Sequence, residues 1–205
     1  LDHVRQAVEI RRQLAASQPA AYLPDLAMSL NNLALQLAEQ DDAESQQQAL
    51  GHAYESVEIY QQLVANQPTA YLPDLAMSLT NLAVRLSEQS DAELRRQALG
   101  HAYESVAIYQ QLAASHPAAY LPDLAISLNI LANRLAEQGD AESRRQALGH
   151  AREAVTIFAQ CYASMPAAFE HNFGIACRAL LNIASGLGLD GEEEVHRARR
   201  AGGVT

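Results

Sequence analysis

Apolar residues along this chain follow a helical stripe that restarts on a fixed schedule. Between Leu23 and Gln40 they fall at Leu23, Leu26, Ala27, Leu30, Leu33, Ala34 and Leu37, the three-and-four spacing of one helix face. Pro24 suits a first-turn position, and Asp25 beside it favours the positive end of a helix. Asp41–Asp42 breaks the stripe. A second helix is predicted over 43–66, with Ala49, Ala53, Ser56, Val57, Tyr60, Leu63 and Val64 on its face. Gln67–Pro68 stops it, because a residue before proline disfavours the α region. The same reading predicts helices near 71–89, 92–115, 120–138, 141–164 and 168–188. Residues 1–17 match the second helix of such a pair, with Val8 and Ile10 at the places of Val57 and Ile59. Gly186, Gly188 and Gly191 interrupt the last stripe. They leave at best a short helix over 192–200 and a tail, Gly-Gly-Val-Thr, expected to fray.

The schedule is a repeat of 49 residues. Tyr22, Tyr71 and Tyr120 are spaced by it, and Phe169 takes the next step. The words around them match: AYLPDLAMSL at 21–30 and 70–79, AYLPDLAISL at 119–128. ALGHAYESV recurs at 49–57 and 98–106, and ALGHAREAV follows at 147–155. A fixed period of this length means stacked units, each touching mainly its neighbours. The expected fold is an all-α, right-handed solenoid of stacked antiparallel helical hairpins. It is read as one array: residues 1–20 the second helix of a partial repeat, then repeats at 21–69, 70–118 and 119–167, then a degenerate or capping repeat at 168–205.

Composition adds limits. Apolar residues are 49% of the chain, enough for a continuous core, but aromatics are only 5%, so alanine and leucine must form it. The net charge of −10 argues against nucleic acid and against anionic membrane, both of which need a basic patch. No apolar run approaches the roughly 20 residues of a membrane span. No leader is visible, although the pattern opens in mid-repeat, so a preceding segment is not excluded. Cys161 and Cys177 lie at different heights on either side of the turn near Pro166, which suggests free thiols and a reducing, cytoplasmic setting.

The segment Leu30-Asn-Asn-Leu-Ala-Leu-Gln-Leu-Ala-Glu-Gln resembles the first helix of the tetratricopeptide repeat family. Leu30 stands at its large apolar position, Leu33 and Ala34 at its Leu-Gly pair, Leu37 at its tyrosine, and Ala49 at the small residue of the second helix. The match recurs at Leu79, Leu82, Ala83, Leu86 and Ala98, and again at Leu128, Leu131, Ala132, Leu135 and Ala147. It fades in the fourth unit, at Cys177, Leu180, Leu181 and Ala184. The family unit is about 34 residues, so a 49-residue unit is similar to the long-helix, kinesin-light-chain-like branch and to arrays of large bacterial multidomain proteins.

The resemblance implies a concave groove lined by the first helices. Its register places Met28, Asn31, Leu35 and Glu39 there, then Met77, Thr80, Val84 and Glu88, then Ile126, Asn129, Asn133 and Glu137, then Ile175, Arg178 and Asn182. Apolar pockets would hold side chains, and the asparagine amides would pair with an extended peptide backbone. Some family members clamp carboxylate-ended peptides with Lys, Asn and Arg. The matching positions here carry Asn31, Leu35, Asn81 and Thr80, and the chain has no lysine, so that clamp is not expected.

Other patterns carry less. His3, His52, His101 and His150 form a ladder, but stacked helices about 8–10 Å apart cannot bring imidazoles to one metal. These are read as hydrogen-bonded edge histidines, each of the last three standing three residues before a glutamate. Arg95–Arg96 and Arg144–Arg145 beside Asp91, Glu93, Asp140 and Glu142 read as mixed-charge turns. Glu192–Glu194 reads as a charge cluster at a helix start. No phosphate loop, zinc spacing or nucleophile–base set stands in the sequence. The expectation is an interaction scaffold for a protein or peptide segment, without cofactor, metal or catalysis. Two alternatives are a sensor or regulatory arm of a nucleotide-switching or protease-like multidomain protein, and a structural self-assembly module. Apolar terminal helices without partners suggest a homodimer through the ends.

Overall fold

A computed structural model describes residues 1–204 of the chain. It contains α1 (Asp2–Ser17), α2 (Pro19–Ala38), α3 (Ala43–Asn66), α4 (Pro68–Ser87), α5 (Ala92–Ser115), α6 (Pro117–Glu137), α7 (Ala141–Ser164), α8 (Pro166–Gly186) and α9 (Gly191–Ala201). No strand occurs among the described residues. The contacts divide the chain into two units, Leu1–Ser105 and Val106–Thr205, and the division falls inside α5.

Both units are all-α and have the layout of a helical solenoid. Consecutive helices pack as hairpins, and first helices of neighbouring repeats also meet, α2 against α4 in the first unit and α6 against α8 in the second. The second helices fall where the periodicity put them. The first helices do not: the stripe predicted a start at Leu23, and α2 begins at Pro19. Pro68, Pro117 and Pro166 open α4, α6 and α8 in the same way. Proline is pre-set for the first helical position, and its ring drives the preceding residue out of the α region. Gln18 therefore sits at φ −139°, ψ 73°, ending one helix and starting the next with no further loop. Pro24 lies inside α2, one turn in. The carbonyl it displaces belongs to Ala20, which is exposed and open to water.

Repeats turn over at acidic caps. Asp42 accepts from Ser45 N–H at 2.8 Å, Asp91 from Glu93 and Leu94, and Asp140 from Glu142 and Ser143. Each satisfies donors that a helix start leaves open. The core is built from leucine and alanine. Leu30, Leu37, Leu79, Leu82 and Leu86 are fully buried in the first unit, as are Leu128, Leu131 and Leu180 in the second. Ala49, Ala98 and Ala147 are also fully buried.

The last segment differs from the expectation. Helix α9 is eleven residues long and packs on α7 and α8. Asp190 caps it, as the Glu192–Glu194 cluster suggested, but Glu194 is buried and meets Arg152 Nε at 2.6 Å. Thr156 Oγ1 donates to the Ala198 carbonyl, and the Arg199 guanidinium stands 5.6 Å from the Phe173 ring centre. Gly191 touches α8 closely enough that a Cβ would lie 2.8 Å from the Leu181 carbonyl oxygen. The expected fraying fails at Gly202, which is buried, and at Val204, whose N–H bonds the Arg199 carbonyl; Thr205 lies outside the described residues. Thus α9 covers the α7–α8 end, which the sequence reading had left open. On α1, Ile10 and Leu14 remain exposed.

Two substitutions separate close packing from open surface. Ala98→Leu overpacks a filled site and is expected to cost roughly 1–3 kcal/mol. Gly149→Ala, in the interior of α7 with nothing within 4 Å of a new Cβ, is expected to add about 0.5–1 kcal/mol. Thermal unfolding of both variants checks this, and an unchanged melting temperature for Ala98→Leu would refute the packing.

Acid should loosen α9 first. The Arg152 hydrogen bond holds the Glu194 carboxyl below its ordinary 4.5, with burial opposing. A carboxyl whose folded pKa is depressed lends stability above its unfolded pKa and loses it as pH falls through the folded value. Hydrogen-exchange protection of α9 should therefore drop below about pH 4.5 before that of α7 does, and Glu194→Gln should abolish the difference. Equal loss in α7 and α9 would contradict it.

Candidate functional site

The register positions divide into an exposed set and a buried set. In the first unit Met28, Leu35 and Met77 are exposed at 45%, 43% and 36%, and Val84, on α4, is half-buried. Asn31 and Thr80 are buried and do not face a groove. They belong to an internal hydrogen-bond column. Ser56 Oγ donates to the Ala27 carbonyl at 2.9 Å and lies 3.3 Å from Ser78 Oγ, which accepts from Asn31 Nδ2 at 2.6 Å. Ser105 Oγ donates to the Ala76 carbonyl, and Thr80 Oγ1 lies 2.6 Å from Ser105 Oγ. The expectation that Asn31 offers its amide to a peptide is therefore corrected: that amide reaches inward to the next first helix.

The second unit changes this column. Two periods on, Ser56 becomes Ala154 and Ser78 becomes Ala176. Asn129 keeps its place at 8% exposure, and its Oδ1, like that of Asn31, has no hydrogen-bond partner. What the second unit lacks is the serine hydroxyl that accepts from the Asn31 Nδ2–H. It lies beside a recess of about 210 Å³ lined also by Ile126, Ile130, Phe158, Asn172 and Ile175. The same places in the first unit hold Met28, Asn32, Tyr60, Asp74 and Met77. Tyr60 is buried there, and burial followed by Asp74 and Asp25 pushes its phenol up. Phe158 and Asn172 in the second unit remove that hydroxyl and that acid, leaving a neutral, mainly apolar recess.

A second cleft, of about 360 Å³, opens where α6, α7 and α8 meet. Asn133, Arg134, Glu137, Arg144, Asn182 and Ile183 line it. The structure thus brings together two of the expected residues, Asn133 and Asn182, with two arginines the register did not supply. Arg134 is mostly buried; its Nη2 meets Glu137 at 2.9 Å and its Nε has no partner. Arg144 was read as part of a mixed-charge turn. Its neighbour Arg145 does pair with Glu142 at 2.6 Å, as Arg96 pairs with Glu93. Arg144 itself makes no side-chain hydrogen bond or ion pair among the described residues, whereas Arg95 donates to the Ser90 carbonyl. Arg178 is exposed on α8. Two periods on, Leu35, Gln36, Gln46 and Val84 of the first unit become Asn133, Arg134, Arg144 and Asn182, with Arg85 and Arg95 already standing one period before the two arginines.

His52 and His101 stand 3.9 Å from Glu55 and Glu104, beyond hydrogen-bond reach. Burial holds the imidazoles of His52, His101 and His150 below their ordinary value, with the neighbouring glutamates opposing. They are therefore neutral at pH 7. Cys161 and Cys177 are not bonded to each other, and burial raises both thiols. No helix among the described residues is long and apolar enough to cross a membrane. Compared with family models and with curated proteins, the sequence matches none.

Asn129 yields a test of a buried acceptor left without a donor. A buried acceptor without a donor costs about 1–3 kcal/mol. Asn129→Leu removes it beside a recess that has room, so a gain of up to about 1 kcal/mol is expected. Denaturant unfolding measures it. A clear loss of stability would mean that the Asn129 amide has a partner in solution.

Proposed function

We propose that this chain binds an extended segment of another protein on the exposed face of its first helices, α2 and α4 in the first unit and α6 and α8 in the second. The observation that carries the reading is where large apolar side chains remain uncovered. On the first helices four of them fall at groove positions, Met28, Leu35 and Met77 in the first unit and Ile175 in the second; the others are at Leu1, Ile10 and Leu14, at Tyr103, at Met165 and at Leu181 and Leu189. A helix face that is buried one turn away and leaves methionine and isoleucine in water is the kind of surface that partners cover. Free amides at Asn133 and Asn182 lie on the same face, where a peptide backbone can use them.

The hairpin order, the buried alanines and the leucine positions all support a tetratricopeptide-like array, whose grooves work in this way. Free, unpaired thiols fit a reducing compartment such as the cytoplasm. Exposed Ile10 and Leu14 on α1 are where a second copy of the chain would dock.

The test is selection of a random twelve-residue peptide library against the full chain, followed by affinity measurement of the enriched peptides. Met77→Glu places a charge on the proposed face of the first unit. For peptides bound there, affinity should fall more than about tenfold, or about 1.4 kcal/mol, with helical content unchanged. If nothing is enriched, or if Met77→Glu unfolds the chain, this reading is wrong.

A further inference from the structure

We infer that the second unit selects an acidic segment, placing one aspartate or glutamate side chain in the α6–α7–α8 cleft and a large apolar side chain in the neighbouring recess. This rests on the binding reading above and names the chemistry of the partner. The chain as a whole carries −10, so a local cationic site stands against its background. The cleft holds Arg134 and Arg144 against Glu137, a local balance of +1 from its lining. Arg144 is unspent, and beside a cleft wall its charge is screened by solvent less than on a flat surface. The amides of Asn133 and Asn182 add donors for oxygen without adding charge.

That balance favours a monoanion. A carboxylate neutralises it. A phosphomonoester, near −1.5 to −2 at pH 7, would overfill it and face Glu137. The site also differs from the clamp that the family resemblance brings to mind: Asn133 and Asn182 stand at repeats of Leu35, but its arginines, Arg134 and Arg144, stand at none of the repeats of Asn31, Leu35, Thr80 or Asn81.

The first unit shows what the site looks like without this function. Gln46 occupies the place of Arg144, and its amide is consumed by the carbonyls of Ala38 and Gln40 at 3.0 and 2.9 Å. Leu35 and Val84 occupy the places of Asn133 and Asn182. Compared with the α2–α3–α4 equivalent, four neighbouring positions on three helices thus go from apolar or neutral to cationic or amide; the arginines are already present one period earlier, as Arg85 and Arg95, and the amides Asn133 and Asn182 complete the set.

The spacing follows from helix geometry. From Ile175 at the recess to Asn182 at the cleft is seven residues of α8, about 10 Å at 1.5 Å per residue. An extended chain covers about 10 Å in three residues. The partner should carry its acid about three positions from a Leu, Ile, Phe or Met.

The test uses the full chain and the same random twelve-residue library, selected in parallel on wild type, Arg144→Gln and Asn182→Val. Both variants copy residues that the first unit already carries at these positions, and their helical content is checked. Wild type should enrich an acid at that spacing, and both variants should lose the acid preference while keeping the apolar one. Synthetic versions of the best peptide with Asp, Asn and phosphoserine at that site complete it. Asp→Asn should weaken binding about tenfold on wild type and less than about twofold on Arg144→Gln. Enrichment without an acid overturns the inference and leaves the binding reading standing, as does an Asp→Asn cost that Arg144→Gln does not change. Tighter binding of the phosphoserine peptide also overturns it. If no peptide is enriched, both readings fall.

Discussion

The structure depends on a joint one residue long. Gln18, Gln67, His116 and Met165 all stand near φ −140° and ψ 73°, and each is followed by the proline that opens the next helix. A joint with no spare residues gives two helices almost no freedom in their angle. Because the same joint recurs, equivalent residues of successive first helices meet, as α2 meets α4 and α6 meets α8. Small, fully buried alanines and leucines then fill the space between the helices. A core with few aromatic rings has little capacity to adapt to a wrong angle, so joint and packing have to agree.

This explains what could be read from the chain and what could not. Second helices were legible to the residue because their starts are acidic caps and their stops are X-Pro pairs, both local signals. First helices were misplaced because Pro24 looked like a start, while the true start, Pro19, looked like a stop. A proline is both at once when the joint has a single residue, and spacing of apolar positions cannot reveal that. Ala20 and Ala21 carry no stripe of their own. The α9 contacts were hidden for another reason. Glu194 and Arg152 are 42 residues apart, and no period links them.

The candidate site was half legible. Register gave the exposed apolar positions Met28, Leu35, Met77 and Ile175, because burial on one face leaves the opposite shoulder open. It failed for Asn31, Thr80 and Asn129, which sit one step nearer the core and whose polarity belongs to the serine column. It missed Arg134 and Arg144, since charged residues in a turn look alike whether or not their neighbours have claimed them. What distinguishes Arg144 from Arg95, Arg96 and Arg145 is an absence of partners, visible only in three dimensions. The informative residues are those where one repeat departs from another.

The uniform joint also bears on heredity. Nearly identical ten-residue words lie 49 positions apart, and each is preceded by the same kind of connection. Unequal recombination within such a gene would add or remove a whole period, and the new seam would rebuild a joint the protein already uses. Deletion in most folds cuts through a core; here it would shorten a stack. The number of repeats is therefore a quantity that evolution can change in single steps, one hairpin at a time.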